Sequence, residues 1–238
     1  MYSKSLLIAT LMLAACSASL PWKDEPVGQE VNVAFSIQKN LLVLPSVTID
    51  GRPGRVLLGT AEQRTLLDAH YAPTLPPGAP HALRLNQREA LQFTPVVTDL
   101  HGVGDAIVGA DAWGSNSIGV DYRIGILTFS RRGIERAQMA MYRFPAAPSI
   151  TVSVDGRTMP ALVDTASPDT LVLPRGNAAA GRRKAHVVVG GTDFGSIDVL
   201  LTDVTEARVG NRVLSKFFVA IDYGRKQVGL WRDPRTAL

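Results

Sequence analysis

The sequence points to an all-β protein built from two copies of one unit, and three observations carry that expectation. Val, Leu, Ile and Thr recur in short runs, separated by many of the 21 Gly and 15 Pro, in a chain that is 46% apolar and only 6% aromatic. Two Asp-Gly pairs, Asp50-Gly51 and Asp155-Gly156, each close such a run and signal a tight hairpin. The third observation is an internal repeat. Residues 46–67 (SVTIDGRPGRVLLGTAEQRTLL) lie over residues 151–172 (TVSVDGRTMPALVDTASPDTLV) at an offset of 105 with no gap. Val47, Asp50, Gly51, Arg52, Leu57, Thr60, Ala61, Thr65 and Leu66 match Val152, Asp155, Gly156, Arg157, Leu162, Thr165, Ala166, Thr170 and Leu171. Further on, Gly109 and Asp121-Tyr122 match Gly210 and Asp222-Tyr223 at an offset of 101. Each half is small for an independent domain, so the two are expected to share a core across a pseudo-twofold axis.

Taken in order, the elements are short. VNVAFSI alternates with period two, placing Val31, Val33, Phe35 and Ile37 on one face. LLVLPSVTIDG reads as a second strand closed by Asp50-Gly51, and residues 55–58 (RVLL) as a third. Residues 72–82 (APTLPPGAPHA) are loop by their Pro and Gly content. Short strands fit 83–86 and 91–98. AIVGADAWGSN reads as a buried strand ending at Gly109, with a short helix from about Asp111, and VDYRIGILTF as a closing hairpin. Residues 131–139 (RRGIERAQM) are a polar connection, after which the pattern begins again.

The N-terminus carries an address. Lys4 is a positive n-region, and Ser5 to Ala15 (SLLIATLMLAA) an apolar h-region of signal-peptide length. It ends in Leu13-Ala14-Ala15-Cys16, which resembles the bacterial lipobox and makes Cys16, the one Cys of the chain, a candidate lipidation site. A plain secretory peptide cut after Ala18 is the other processing that fits. Under either, the mature protein holds no disulfide and depends on its core. Ser17 after the Cys favours the outer membrane by resemblance to bacterial sorting. Residues 17–28 (SASLPWKDEPVG) are polar, hold two Pro and read as a tether. The expected organisation is a signal peptide at 1–15, a tether at 16–28, a first lobe at 29–130, a connection at 131–139 and a second lobe at 140–238.

Composition excludes several classes. No apolar run reaches the roughly 18 residues of a spanning helix, which excludes a multi-spanning membrane protein. The net charge of +4 is spread along the chain, with Arg131-Arg132 and Arg182-Arg183-Lys184 its densest spots. Without the aromatic interleaving or motifs of nucleic-acid binders, these read as solvated loops, and no nucleic-acid partner is expected. His70, His81, His101 and His186 are scattered without metal-ligand spacing and read as surface or loop residues, so no metal or cofactor is expected. No Ser stands in a Gly-x-Ser-x-Gly elbow.

The stretch with most chemical content is Val163-Asp164-Thr165-Ala166-Ser167, an apolar strand running into an acid, a hydroxyl and small residues, followed by a second apolar run. With the Asp-Gly hairpins, Ile107-Val108-Gly109, the short helix and the Asp-Tyr closing hairpins, it resembles the bacterial retropepsin-like (pepsin-type) aspartic proteases over residues 31 to 232. The resemblance implies an all-β, acid protease-like fold of duplicated lobes, each with a short helix, and a cleft between them. Each lobe would supply one Asp-Thr-Gly-type loop. Two carboxylates about 3 Å apart cannot both ionise, so they share a proton; one acts as base on water while the other donates to the scissile carbonyl.

Asp164 is the catalytic aspartate that the resemblance implies, with Thr60, Thr165 and Ser167 as supports: the two Thr hydroxyls bracing the loops across the lobes, and Ser167 bonding the carboxylate. The position equivalent to Asp164 in the first half is Gly59, so one catalytic acid is missing. Ala61 and Ala166 stand where the family usually has Gly, and Arg208 interrupts the second apolar-apolar-Gly element, where it must reach solvent or find a partner. Glu62, aligned with Ser167, is the nearest replacement acid. Read alone, Asp164 would be an acid capping its own loop.

The expected function is that of an envelope-anchored lipoprotein facing the periplasm, a degenerate protease that holds a peptide or protein in its cleft. The alternative is an active aspartic endopeptidase using Asp164 with a second acid or in a homodimer. The sequence assigns no oligomeric state.

Overall fold

The computed structural model describes residues 30–72, 78–86, 90–114, 116–134 and 138–235. The signal segment, Cys16, the tether and part of the 131–139 connection therefore lie outside the described residues. A six-stranded antiparallel sheet joins the two lobes. Its order is Glu30–Ala34, Ile126–Ser130, Ser117–Asp121, Phe218–Asp222, Gln227–Trp231 and Ala140–Arg143. At its centre the two repeat-equivalent strands pair with each other, Ile118 with Ile221, Gly119 with Ala220 and Val120 with Val219. The pseudo-twofold axis passes through this pairing, and one hydrophobic cluster runs through both lobes.

Above the sheet, each lobe threads one strand between two others in the same way. In the first, Ala106–Val108 runs parallel to Val56–Leu58 and antiparallel to Leu66–Asp68. In the second, Ala207–Val209 runs parallel to Arg157–Val163 and antiparallel to Leu171–Pro174. A strand flanked on both sides must be apolar on both faces, and Val56, Leu57, Leu58, Val163 and Val209 are wholly buried. The surroundings differ. Six strands of the second lobe close into a barrel, whereas the first has an open six-stranded sheet beside a four-stranded one.

The Asp-Gly turns form as their sequence demands. Asp50 and Asp155 both have φ of 50°, and the following Gly51 and Gly156 have φ of 78° and 77°. Two successive positive φ angles make the turn whose twist matches a hairpin. A four-residue helix follows each threaded strand, Ala110–Trp113 and Asn211–Leu214.

Two strand expectations are corrected. The 31–37 run is not one strand with one face: Phe35 is bonded to Gly125 O at 2.8 Å, the chain leaves the central sheet there, and Ile37 is 43% exposed in Ser36–Gln38. The next run splits at Pro45-Ser46 into Leu41–Val43 and Thr48–Ile49. His81, expected at the surface, is buried in an alternating strand, its Nδ1 2.6 Å from Asp50 Oδ2.

Candidate active site

Two loops meet beneath the lobes, and their backbones are bonded in the same way. Gly59 N–H donates to Val108 O at 2.9 Å and Asp164 N–H to Val209 O at 3.0 Å. Glu62 N–H turns back to Gly59 O at 3.2 Å, and Ser167 N–H to Asp164 O at 3.2 Å. Ala110 N–H bonds Glu62 O, and Asn211 N–H bonds Ser167 O. Gly59 thus holds the structural place of Asp164. Neither Ala61 nor Ala166 has a positive φ, so a methyl is accommodated in both loops.

Thr60 and Thr165 lock the loops together. Thr60 N–H donates to Thr165 Oγ1 and Thr165 N–H to Thr60 Oγ1, each at 3.2 Å. Each hydroxyl then donates across the lobes, Thr60 to Val163 O at 2.5 Å and Thr165 to Leu58 O at 2.6 Å. Both residues are fully buried, where unmade bonds are costly. Tyr223 OH bonds Thr60 O at 3.2 Å. Its repeat mate Tyr122 instead bonds Asn211 Oδ1 at 2.7 Å, and Asn211 Nδ2 bonds Thr165 O at 2.6 Å. Burial, with the charge of Asp164 added, holds the Tyr122 phenol far above its usual range; burial does the same to Tyr223.

The carboxylate of Asp164 is nearly inaccessible, with its side chain 5% exposed. Its Oδ1 accepts Ala166 N–H at 3.0 Å, and its Oδ2 accepts Arg208 Nη1 at 2.9 Å. Ser167, expected to bond this carboxylate, does not; its buried side chain stands beside Gly210. The same Arg208 nitrogen lies 3.6 Å from Glu62 Oε1, so one guanidinium bridges an acid from each lobe. Burial and then the charge of Asp164 raise the Glu62 carboxyl above its ordinary range, against the pull of Arg208. Burial opposes the Arg208 charge, and the bond to Asp164 with the field of Glu62 overcomes it, so its pKa is raised.

The Thr60–Thr165 bonds bring the Gly59 and Asp164 loops together, and Arg208, which the sequence marks only as an interruption of the apolar element, is part of the site. The available signal was an Arg in an otherwise apolar threaded strand, one residue before Val209. A concavity of about 540 Å³ opens beside Arg208, walled by Ala61 and Gln63 of the first lobe and Met159, Leu162 and Ala207 of the second. Elsewhere, Asp68, His70 and Asp99 bring potential metal-ligand atoms within 4.8 Å of one another. Asp68 already accepts the backbone N–H groups of His70 and Leu100, each at 2.8 Å, which accounts for the cluster as a loop brace.

No protein-family model and no curated protein sequence matches the chain. Among solved structures, the crystal structure of the aspartic proteinase from Irpex lacteus is similar, with a TM-score of 0.57 at 12% identity, covering 86% of this chain and 98% of that one. At that identity the likeness concerns the fold. The chain has an all-β, two-lobed, aspartic protease-like fold.

Proposed function

We propose that this chain is an envelope-anchored lipoprotein whose aspartic protease-like cleft has lost hydrolysis and holds an extended peptide or protein segment. One observation carries the reading: Arg208 donates to Asp164 over 2.9 Å while Gly59 leaves the opposite position without a carboxylate. Proton sharing between two acids is what the dyad mechanism uses. Here the retained acid faces a cation that keeps its proton at every working pH. The Thr60–Thr165 bonds remain, so the loops keep their architecture without the second reactive group. The apolar concavity beside Arg208 supports occupation by a side chain of a bound segment. The anchor is supported by Leu13-Ala14-Ala15-Cys16.

The test is a peptide-library cleavage screen from acid to neutral pH, run beside Asp164→Asn, with binding to the same peptides followed by fluorescence polarisation. Binding without cleavage is expected. An acid-favoured cleavage that Asp164→Asn abolishes would reverse the reading. Acylation of Cys16, read by mass spectrometry, tests the anchor separately.

One observation favours a second reading. Burial and then the charge of Asp164 raise the Glu62 carboxyl, so the site holds two acids from opposite lobes, with Arg208 between them. A peptidase using this pair would lose cleavage in Glu62→Gln as fully as in Asp164→Asn. The homodimer form of activity would have to separate Thr60 from Thr165 before two Asp164 loops could meet.

A further inference from the structure

The pseudo-twofold axis exchanges the two ends of the central sheet, and the concavities at the two ends are lined by different charge. At one end the register aligns Glu30, Ser130, Ser117, Asp222, Gln227 and Arg143 across the six strands. At the other stand Asp121 and Phe218 with their neighbours. Each end holds a concavity at repeat-equivalent acids. That at Asp121 is about 140 Å³ and has balanced charge, Asp121 and Asp233 against Arg123 and Lys216. That at Asp222 is about 740 Å³ and sets Arg131, Arg132 and Arg225 against the single acid, with the Ser117 residue in its wall. The fold alone does not line a concavity with three guanidinium groups, because the equivalent concavity at the other end is lined by two acids and two bases.

The basic groups are arranged rather than scattered. Asp222 holds Arg225 by its backbone N–H at 2.8 Å and by its guanidinium at 3.5 Å. Gly133 lets that guanidinium lie against the chain; a Cβ there would overlap it. Arg131 and Arg132 are exposed, and neither guanidinium has an ion-pair partner among the described residues. Three planar forks around one open concavity suit phosphate oxygens, which guanidinium groups bind in pairs. The position in the chain adds a direction. Glu30, the first described residue, pairs with Ser130, next in sequence to Arg131.

We propose that this end of the central sheet docks on the headgroups of an anionic phospholipid leaflet, with Arg131, Arg132 and Arg225 taking the phosphates. The membrane in this proposal comes from the anchored reading above; the phosphate chemistry does not depend on it. The cleft beside Arg208 shares no wall residue with this face.

The test uses the full chain as Cys16→Ser, so that acylation plays no part, and co-sedimentation with vesicles of phosphatidylglycerol or of phosphatidylcholine. The apolar N-terminal segment contributes to both, and the readout is the ratio between them. Basic side chains at an anionic surface are each worth roughly fivefold in partition. Arg131→Gln/Arg132→Gln should therefore lower the phosphatidylglycerol preference by about tenfold or more, while Arg123→Gln/Lys216→Gln at the opposite end leaves it nearly unchanged. Gly133→Ala, which displaces Arg225, should lower it by a smaller factor. Equal binding to both vesicles, or equal loss in both double variants, overturns the proposal. Complete displacement by inorganic phosphate at matched ionic strength would assign the site to free phosphate and overturn it too. Failure of Cys16 acylation in the separate experiment would remove the anchor and leave these vesicle ratios as they are.

Discussion

Arg208 donates to the carboxylate of Asp164 over 2.9 Å from the strand position that one repeat earlier is held by Ile107. Two of the differences between the halves at the site, Gly59 against Asp164 and Ile107 against Arg208, therefore complement each other. A lone buried carboxylate would be expensive, and a lone half-buried guanidinium likewise; together they satisfy one another. Gly59 and Arg208 can be read as one change, in which a shared proton gives way to an ion pair.

Removing the acid tests this directly. Asp164→Asn keeps the shape and leaves Arg208 with only the more distant Glu62. Because Arg208 is about a third exposed, the loss is reduced by solvent and should be about 1–2 kcal/mol. Urea unfolding measures it. An unchanged midpoint would mean that the pair contributes little to stability.

Restoring the second acid should fail as a single substitution. A Cβ on Gly59 would lie 2.5 Å from Ile107 Cγ2 and 3.1 Å from Glu62 Cγ. Gly59→Asp is thus expected to destabilise by about 1–3 kcal/mol through crowding and to give no cleavage. Gly59→Asp with Ile107→Ala and Arg208→Leu removes both the clash and the competing cation. That combination should show weak acid-favoured cleavage and two coupled carboxyl titrations by NMR. Cleavage by the single variant would show that Ile107 yields easily.

The fold was legible because its signals are local. The Asp-Gly turns fix φ by residue type, and the repeat displays the duplication without any knowledge of contacts. The site was legible only in part. Thr60, Thr165 and Asp164 sit in the repeat itself, but the Arg208–Glu62 bridge joins residues from different lobes, and no local pattern encodes that approach. His81 shows a different limit. His81-Ala82-Leu83 alternates like a strand, and its inward position was readable, yet the ring is tolerated inside because Asp50 is there to receive it. Ile37 failed for the opposite reason, since perfect alternation says nothing about where a strand changes sheets.

The Thr pair should behave as one unit. Thr165→Val removes the bond to Leu58 O and the acceptor of Thr60 N–H, all in a fully buried place. Each Thr→Val is expected to cost about 2–4 kcal/mol, since buried groups are left unpaired. Each variant removes a different pair of the four bonds, but each pair holds the loop on which the other depends, so the double variant should cost less than the sum. A double-mutant cycle by urea denaturation checks this, and strict additivity would mean that the two hydroxyls act independently.

The last expectation concerns acidity. Burial and then the charge of Asp164 raise the Glu62 carboxyl above the 4.5 of a free side chain. Between the unfolded and the folded pKa the native state holds more protons, so its stability falls as pH rises through that window. The contribution is fully present below about 4.5 and is lost once Glu62 ionises at higher pH. Glu62→Gln mimics the protonated acid and removes that loss. At neutral pH it should be at least as stable as the native chain, despite giving up the contact with Arg208. The difference between the two should then shrink as the pH is lowered below 4.5, where both carry a neutral side chain. Urea midpoints for both proteins at neutral and acid pH decide it. A variant less stable at neutral pH, with the deficit vanishing in acid, would mean that Arg208 outweighs burial and Asp164 at Glu62.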